Sequence, residues 1–202
     1  ADEGRAFREC AILYRSNAQS RVLEEALLRS QLPYRIYGGQ RFFERAEIRS
    51  ALAYLKMLSQ RHSDAAFERV VNLPPRGIGD KSVQIIRETA RADNVSMWQA
   101  AHHLVASAGL TARAKTAISG FIDLIDTLDA ATEDMDLAHL VREVVESSGL
   151  KQFYEKEGGE KGQARLENLE ELVTAAQTFD PDDVPLFDET VQADRDSGRR
   201  YS

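Results

Sequence analysis

A basic surplus, the usual mark of a chain that grips nucleic acid through bulk charge, is missing here: 26 Lys and Arg stand against 33 Asp and Glu, a formal net charge of −7. Any DNA contact has to be local, made by a few arginines and backbone amides. Cysteine is nearly absent, and Cys10 alone cannot close an internal disulfide, so a reduced, cytoplasmic protein is expected. Long apolar runs are missing too, and the first ten residues are too charged for a signal peptide, so no membrane partner is expected. Metal-ligand spacing is lacking: His62, His102, His103 and His139 have no carboxylate or cysteine partners at the right intervals. What is present is apolar content. At 43% hydrophobic over 202 residues the chain can bury a core, which excludes disorder throughout.

The patterning divides the chain at residues 39/40 and 179/180. Residues 10–39 read as a β-α-β fragment: the apolar run Cys10-Ala-Ile-Leu-Tyr14, then Val22, Leu23, Ala26 and Leu27 at helical spacing, then Tyr34-Arg-Ile-Tyr37 behind Pro33. One crossover unit cannot cover both faces of its strands, so it reads as a piece of a parallel α/β sheet, packed loosely against the rest. Residues 40–179 are helical almost throughout. Ile48, Ala51, Leu52, Leu55 and Leu58 form one apolar stripe and Ile118, Phe121, Ile122, Ile125 and Leu128 a second. Leu137, Leu140, Val141, Val144 and Val145 form a third, and Leu166, Leu169, Leu172, Val173 and Ala176 a fourth. Ser96 with Gln99 makes a capping-box pattern, Asp64 and Asp136 stand where N-caps are wanted, and Gly149 follows a helix end. Residues 180–202 hold seven acids against three arginines with little periodicity and read as an acidic tail or linker.

Two segments carry chemistry. In Pro74-Pro-Arg-Gly-Ile-Gly79-Asp-Lys-Ser82 two prolines end a helix, a Gly-Ile-Gly hairpin reverses the chain and a second helix begins near Asp80. This is a helix-hairpin-helix layout. Gly77 and Gly79 let the backbone approach a phosphate, Ile78 plugs the core, the first-turn amides of the second helix point at the anion, and Arg76, Lys81 and Ser82 add donors. Such contacts read phosphates, not bases. A tight turn between helices is the competing reading, and Asp80 sets a negative charge beside the site. In Leu13-Tyr-Arg-Ser-Asn17-Ala-Gln-Ser-Arg21, Arg15, Asn17 and Gln19 offer donors at the carboxyl edge of a strand, where open α/β sheets bind ligands. The same residues also suit a polar strand-to-helix turn.

Five ordered blocks, from Ala11-Ile-Leu-Tyr-Arg-Ser-Asn-Ala-Gln-Ser-Arg-Val-Leu-Glu-Glu25 through Pro33-Tyr-Arg-Ile-Tyr-Gly-Gly39, Arg41-Phe-Phe-Glu-Arg45 and Arg76-Gly-Ile-Gly79 to Arg165-Leu-Glu-Asn-Leu-Glu-Glu171, resemble the UvrD/Rep/PcrA-type superfamily 1 DNA helicases. The resemblance implies that residues 1–39 are the end of the first part of RecA-like motor domain 2A, and that residues 40–179 are the inserted helical accessory domain 2B. It also implies a parent enzyme that unwinds DNA 3′ to 5′ with ATP and magnesium in replication or repair, with the other helicase domains and repair proteins as partners. Arg15 and Asn17 would meet single-stranded DNA, and Arg76, Gly77, Ile78, Gly79, Lys81 and Ser82 would meet the duplex at a junction.

The chain departs from that pattern in several places. No Gly-Lys-Thr phosphate loop, Asp-Glu pair or γ-phosphate arginine is present, so the chain holds no catalytic or cofactor residues of its own and is expected to be inactive alone. Ser50 stands where the family carries Asp, which leaves a local cap or ion pair open. Arg41, Arg45 and Arg49 recur every four residues but are interleaved with Glu44 and Glu47, as on an ordinary solvated face. Trp98 reads as core, and the patch at Glu167, Asn168, Glu170 and Glu171 suits a domain or protein contact better than DNA. A free-standing helix-hairpin-helix module and a protein-interaction or autoinhibitory helical domain are the other readings.

Overall fold

The computed structural model describes residue 7 and residues 10–36, 41–107 and 109–179. Among them the regular structure is helical: α1 (Ser20–Arg29), α2 (Ala46–Ser59), α3 (Asp64–Val70), α4 (Asp80–Asp93), α5 (Met97–Ala106), α6 (Ala112–Thr132), α7 (Leu137–Ser147), α8 (Leu150–Glu157) and α9 (Gly159–Gln177). The stripes fall on α2, α6, α7 and α9 and turn inward except at Leu52 and Leu137, which are exposed. Ile118, Phe121 and Ile125 of α6 are fully buried beside Ile48 and Ala51 of α2 and Val144 of α7. Each large apolar side chain so buried contributes about 1.5–3 kcal/mol, which a lone amphipathic helix could not gain. Phe67 meets Phe121 edge to face at 5.6 Å and ties α3 to this core.

Several boundaries follow local chemistry. Ser96 and Gln99 form the reciprocal capping box at the start of α5, and Asp136 accepts from His139 N ahead of α7. Gly149 takes a left-handed conformation, φ 83°, between α7 and α8. Asp64 differs from expectation: Ser63 is the N-cap of α3, and Asp64 Oδ1 instead accepts from Met97 N at 2.8 Å, bracing the start of α5. Ser50 Oγ donates to Ala46 O at 2.8 Å, so the residue at the departing position bonds its own helix.

The strands expected in residues 10–39 do not form among the described residues. Residues 10–14 and 32–36 carry no ladder, and Leu13 is 94% exposed. An extended segment becomes a strand only when its N–H and C=O groups find a neighbour, and none lies beside these two. The helix between them is held more firmly than expected, as described below. The junction at Gly38–Gln40 and the segment 180–202 lie outside the described residues.

Candidate nucleic-acid interface

The hairpin between α3 and α4 is built on one asparagine. Past Val70 the chain leaves the helix, and Asn72 Oδ1 accepts from Arg76 N at 2.8 Å and from Ile78 N at 3.2 Å, which closes the turn from inside. Ile78 between the two glycines is fully buried, so the reversal is anchored to the core. Gly77 sits at φ 81°, where a side chain is strained. Gly79 is different. Its backbone, φ −76° and ψ 165°, suits any residue, and a Cβ there would meet nothing within 4 Å. Neither conformation nor internal packing requires glycine at that position.

Gly79 is the N-cap of α4, and no side chain caps this helix. Ser82 N and Val83 N fold back onto Gly79 O, at 2.9 and 3.2 Å. Lys81 is exposed at the helix start, beside exposed Asp80 and half-buried Ser82. A groove of about 530 Å³ runs along this surface between Asn72, Ile78 and Lys81 and the Glu68–Arg87 ion pair. The positive end of a 14-residue helix thus opens onto a concave surface with the exposed Lys81 at its rim.

Arg76 does not join that surface. Its guanidinium turns inward and donates to Val70 O, Pro74 O, Tyr54 Oη and Ser148 O at 3.2, 3.0, 2.6 and 2.8 Å. It also lies 5.8 Å from the Tyr54 ring centre and 5.7 Å from that of Phe121. One planar fork therefore ties the hairpin to α2, α6 and the α7–α8 turn. Tyr54 passes the bond on to Leu73 O at 2.7 Å.

The second candidate segment is a turn ahead of α1. Gln19 Oε1 accepts from Arg15 N at 3.1 Å and from Ser16 N at 3.3 Å, which commits Gln19 to bracing the turn. Arg15 is exposed, and Asn17 opens the single 3-10 turn Asn17–Gln19, its side chain lying outside the description. No hydrogen bond or ion pair joins this segment to the hairpin among the described residues.

The α9 patch expected to make a domain or protein contact forms a buried polar joint whose partners, Arg45 and Arg21 among them, the sequence reading did not identify. Arg45 is only 8% exposed and donates to Asn168 Oδ1 at 2.7 Å and Ser20 Oγ at 2.8 Å, while Asn168 donates to Glu47 Oε1 at 2.6 Å. Glu24 accepts from Phe42 N, and Arg21 pairs with Glu25 and with Glu171 of α9 at 2.7 and 2.6 Å. Burial holds the Arg45 guanidinium below its ordinary pKa. For Arg21 burial acts in the same direction, but its bonds to Glu171 and Glu25 outweigh it and the value rises. Ser16 Oγ completes the joint by donating to Glu167. The arginine stripe thus sends Arg45 inward and leaves Arg41 and Arg49 exposed. The acidic patch on α9 holds α1. Trp98, 8% exposed, packs on Phe121 as core with Arg61 over its face.

Among the described residues no cluster of His, Cys, Asp or Glu could hold a metal ion, and no helix is long and apolar enough to cross a membrane.

Residues 1–189 match the family described as UvrD-like helicase C-terminal domain. The chain is 55% identical over 190 residues to DNA helicase II of Escherichia coli (strain K12), covering 92% of this chain and 26% of that protein. DNA helicase II of Haemophilus influenzae is 51% identical over 178 residues, 88% of this chain and 24% of the relative. ATP-dependent DNA helicase PcrA of Staphylococcus epidermidis is 35% identical over 188 residues, 93% and 26% respectively. The chain spans about a quarter of the length of these relatives.

Proposed function

The chain belongs to the UvrD-like helicase C-terminal domain family, and from that premise we propose that it is the DNA-engaging part of an ATP-dependent 3′-to-5′ DNA helicase whose nucleotide chemistry lies in other domains. Residues 40–179 act as the accessory domain 2B and residues 1–39 as part of motor domain 2A, with repair or replication as the setting. The relatives carry the printed names DNA helicase II and ATP-dependent DNA helicase PcrA. ATP and magnesium belong to the whole enzyme in this reading.

One observation supports the hairpin as the duplex contact. Gly79 is a glycine that the fold itself does not need, placed at the uncapped start of α4 with open space where its side chain would be. Absence of a side chain there keeps the Asp80 and Lys81 amides accessible to a phosphate, Ser82 N being folded back onto Gly79 O. Lys81 and Ser82 supply a cation and a hydroxyl, Gly77 the reversal, Ile78 the anchor, and Arg76 the rigid base on which they stand. The contacts touch phosphates, so binding is independent of sequence. Arg15 and Asn17, on the turn ahead of α1, serve the single strand.

The test is fluorescence anisotropy with two unrelated duplexes and a junction at several salt concentrations. Gly79→Leu is accommodated by the backbone and by open space, so the variant stays folded while its side chain blocks the approach. We expect both duplexes to bind at least tenfold more weakly, and Lys81→Ala to lower the salt slope by about one. Unchanged duplex affinity in folded Gly79→Leu would overturn the reading in favour of a protein-interaction or autoinhibitory domain.

A further inference from the structure

On a different face from the hairpin, α2, α6 and α7 leave a groove of about 850 Å³ between them. Leucines line the walls on α2 and α7. Leu55 and Leu58 come from α2, and Leu137 and Leu140 from α7. Leu137 is 43% exposed, and Leu52, one turn before Leu55 on α2, is 36% exposed. Amphipathic helices normally bury such side chains, and here Leu137 and Leu52 stay exposed while Leu55, Leu58 and Leu140 are half-buried along a concave seam.

The rim on the α6 side is acidic. Asp126, Asp129 and Glu133 follow one another at three- and four-residue spacing and so share one face of the helix. Arg61 pairs with Asp126 at 3.3 Å and Asp129 at 2.8 Å, yet the two carboxylates remain 57% and 52% exposed. Lys56 is the cation on the opposite wall. We propose that this groove docks a basic amphipathic helix of another protein, with its leucine-type side chains between α2 and α7 and its lysines or arginines along the α6 carboxylates.

The chemistry selects this occupant over others. A nucleic-acid backbone would place phosphates against the acidic rim and gain nothing from the leucines. Residues 180–202, with seven acids against three arginines, carry the sign of the rim, and a second copy of a chain of net charge −7 starts from the same repulsion. A basic helix satisfies both walls at once, with apolar anchors at i, i+3 and i+4 and cations on the flank, a recurrent mode of helix-in-groove recognition.

The probe is a fluorescein-labelled 16-residue synthetic peptide with leucines on one helical face and lysines flanking them. Controls are the same residues in scrambled order and a version with glutamates replacing the lysines. Anisotropy titrations use the full chain, with helix content and thermal unfolding measured for each variant. Saturable binding of the amphipathic basic peptide is expected, at least tenfold tighter than either control. Leu137→Asp alters an exposed lining position and Leu52→Glu an exposed position one turn before Leu55, so the chain keeps its fold, and each should weaken the peptide tenfold or more. Glu133→Lys should weaken it severalfold and reduce its salt dependence. All three should leave duplex affinity at the hairpin unchanged. Equal binding of the scrambled peptide, or affinity within twofold for both leucine variants, would overturn the proposal.

Discussion

Arg76 does not take the role that its sequence neighbourhood suggests. Arg76 follows a Pro-Pro stop and precedes Gly-Ile-Gly, which reads as a cation on an exposed turn. Its guanidinium is instead occupied by Val70, Pro74, Tyr54 and Ser148. The last two partners lie 22 and 72 residues away, beyond any local pattern. Ile78 was legible as the plug because a lone β-branched residue between two glycines has little other use, and it is fully buried. Arg76→Lys keeps the charge but cannot serve four acceptors with one ammonium, so we expect a loss of about 2–4 kcal/mol in urea unfolding. Lys81→Ala, at an exposed position, should shift stability by less than about 0.5 kcal/mol. The pair separates the structural cation from the one available to phosphate, and equal losses would remove the distinction. Tyr54 adds a pH dependence. Burial pushes its phenol up to about 12 from 10.0, with Arg76 pulling the other way. Because the folded value lies above the unfolded one, this contribution is complete below pH 10 and is lost as pH rises through 12. At about 1.4 kcal/mol per pH unit the loss approaches 2–3 kcal/mol. Tyr54→Phe starts less stable but should fall less steeply between pH 9 and 11.5 in denaturant midpoints. Parallel decline would show that the phenol has no part in it.

At the scale of elements, the helices were readable because their information is local: a stripe at 3.6-residue spacing, a Ser96–Gln99 box and a glycine after α7. The joint between α1 and α9 was not. It links Arg45 to Asn168 across 123 residues and Arg21 to Glu171 across 150; the α9 patch reads as a domain or protein contact, but Arg45 looks like part of a solvated face and nothing local names the partners. The two strand segments erred in the opposite direction, since their apolar composition was right but the ladder that makes a strand belongs to neighbours. The polar joint changes what is expected of α1. Asn168→Ala would leave Arg45 Nη1 and Glu47 Oε1 without this partner in a site where both residues are 8% exposed or less, at a cost of about 2–4 kcal/mol. Hydrogen exchange gives the second check. Amides of α1 should exchange with the slower elements of the helical body, while those of residues 11–14 exchange near the unprotected rate. Protection of residues 11–14 matching that of α6 would mean that an unseen ladder forms there.

Taken whole, the molecule is acidic, its sequence lacks a nucleotide loop, and its hairpin offers a phosphate the start of α4, which no side chain caps, and the exposed Lys81. In the proposed function that combination sets the form of DNA binding. A protein that grips with six or more cations shows a steep fall of affinity with salt, because about 0.9 counterion is released for each phosphate neutralised. Here Lys81 is the cation at the hairpin rim, Arg76 is turned inward, and the acidic remainder repels the duplex. The slope of log affinity against log salt should therefore lie at about one to two, with weak binding that does not distinguish sequences. Amide contacts persist when salt rises, so Gly79→Leu should weaken binding at high salt as much as at low salt, whereas Lys81→Ala should matter at low salt alone. The same preparation should show no ATP turnover with or without DNA, since no residue set in the sequence can hold a triphosphate and its magnesium. Anisotropy over a salt series, run beside a coupled ATPase assay, reads all of this on one sample. A slope of six or more would mean that a broad basic surface, not the hairpin, holds DNA, and sustained ATP hydrolysis by clean protein would contradict the placement of the motor chemistry in other domains.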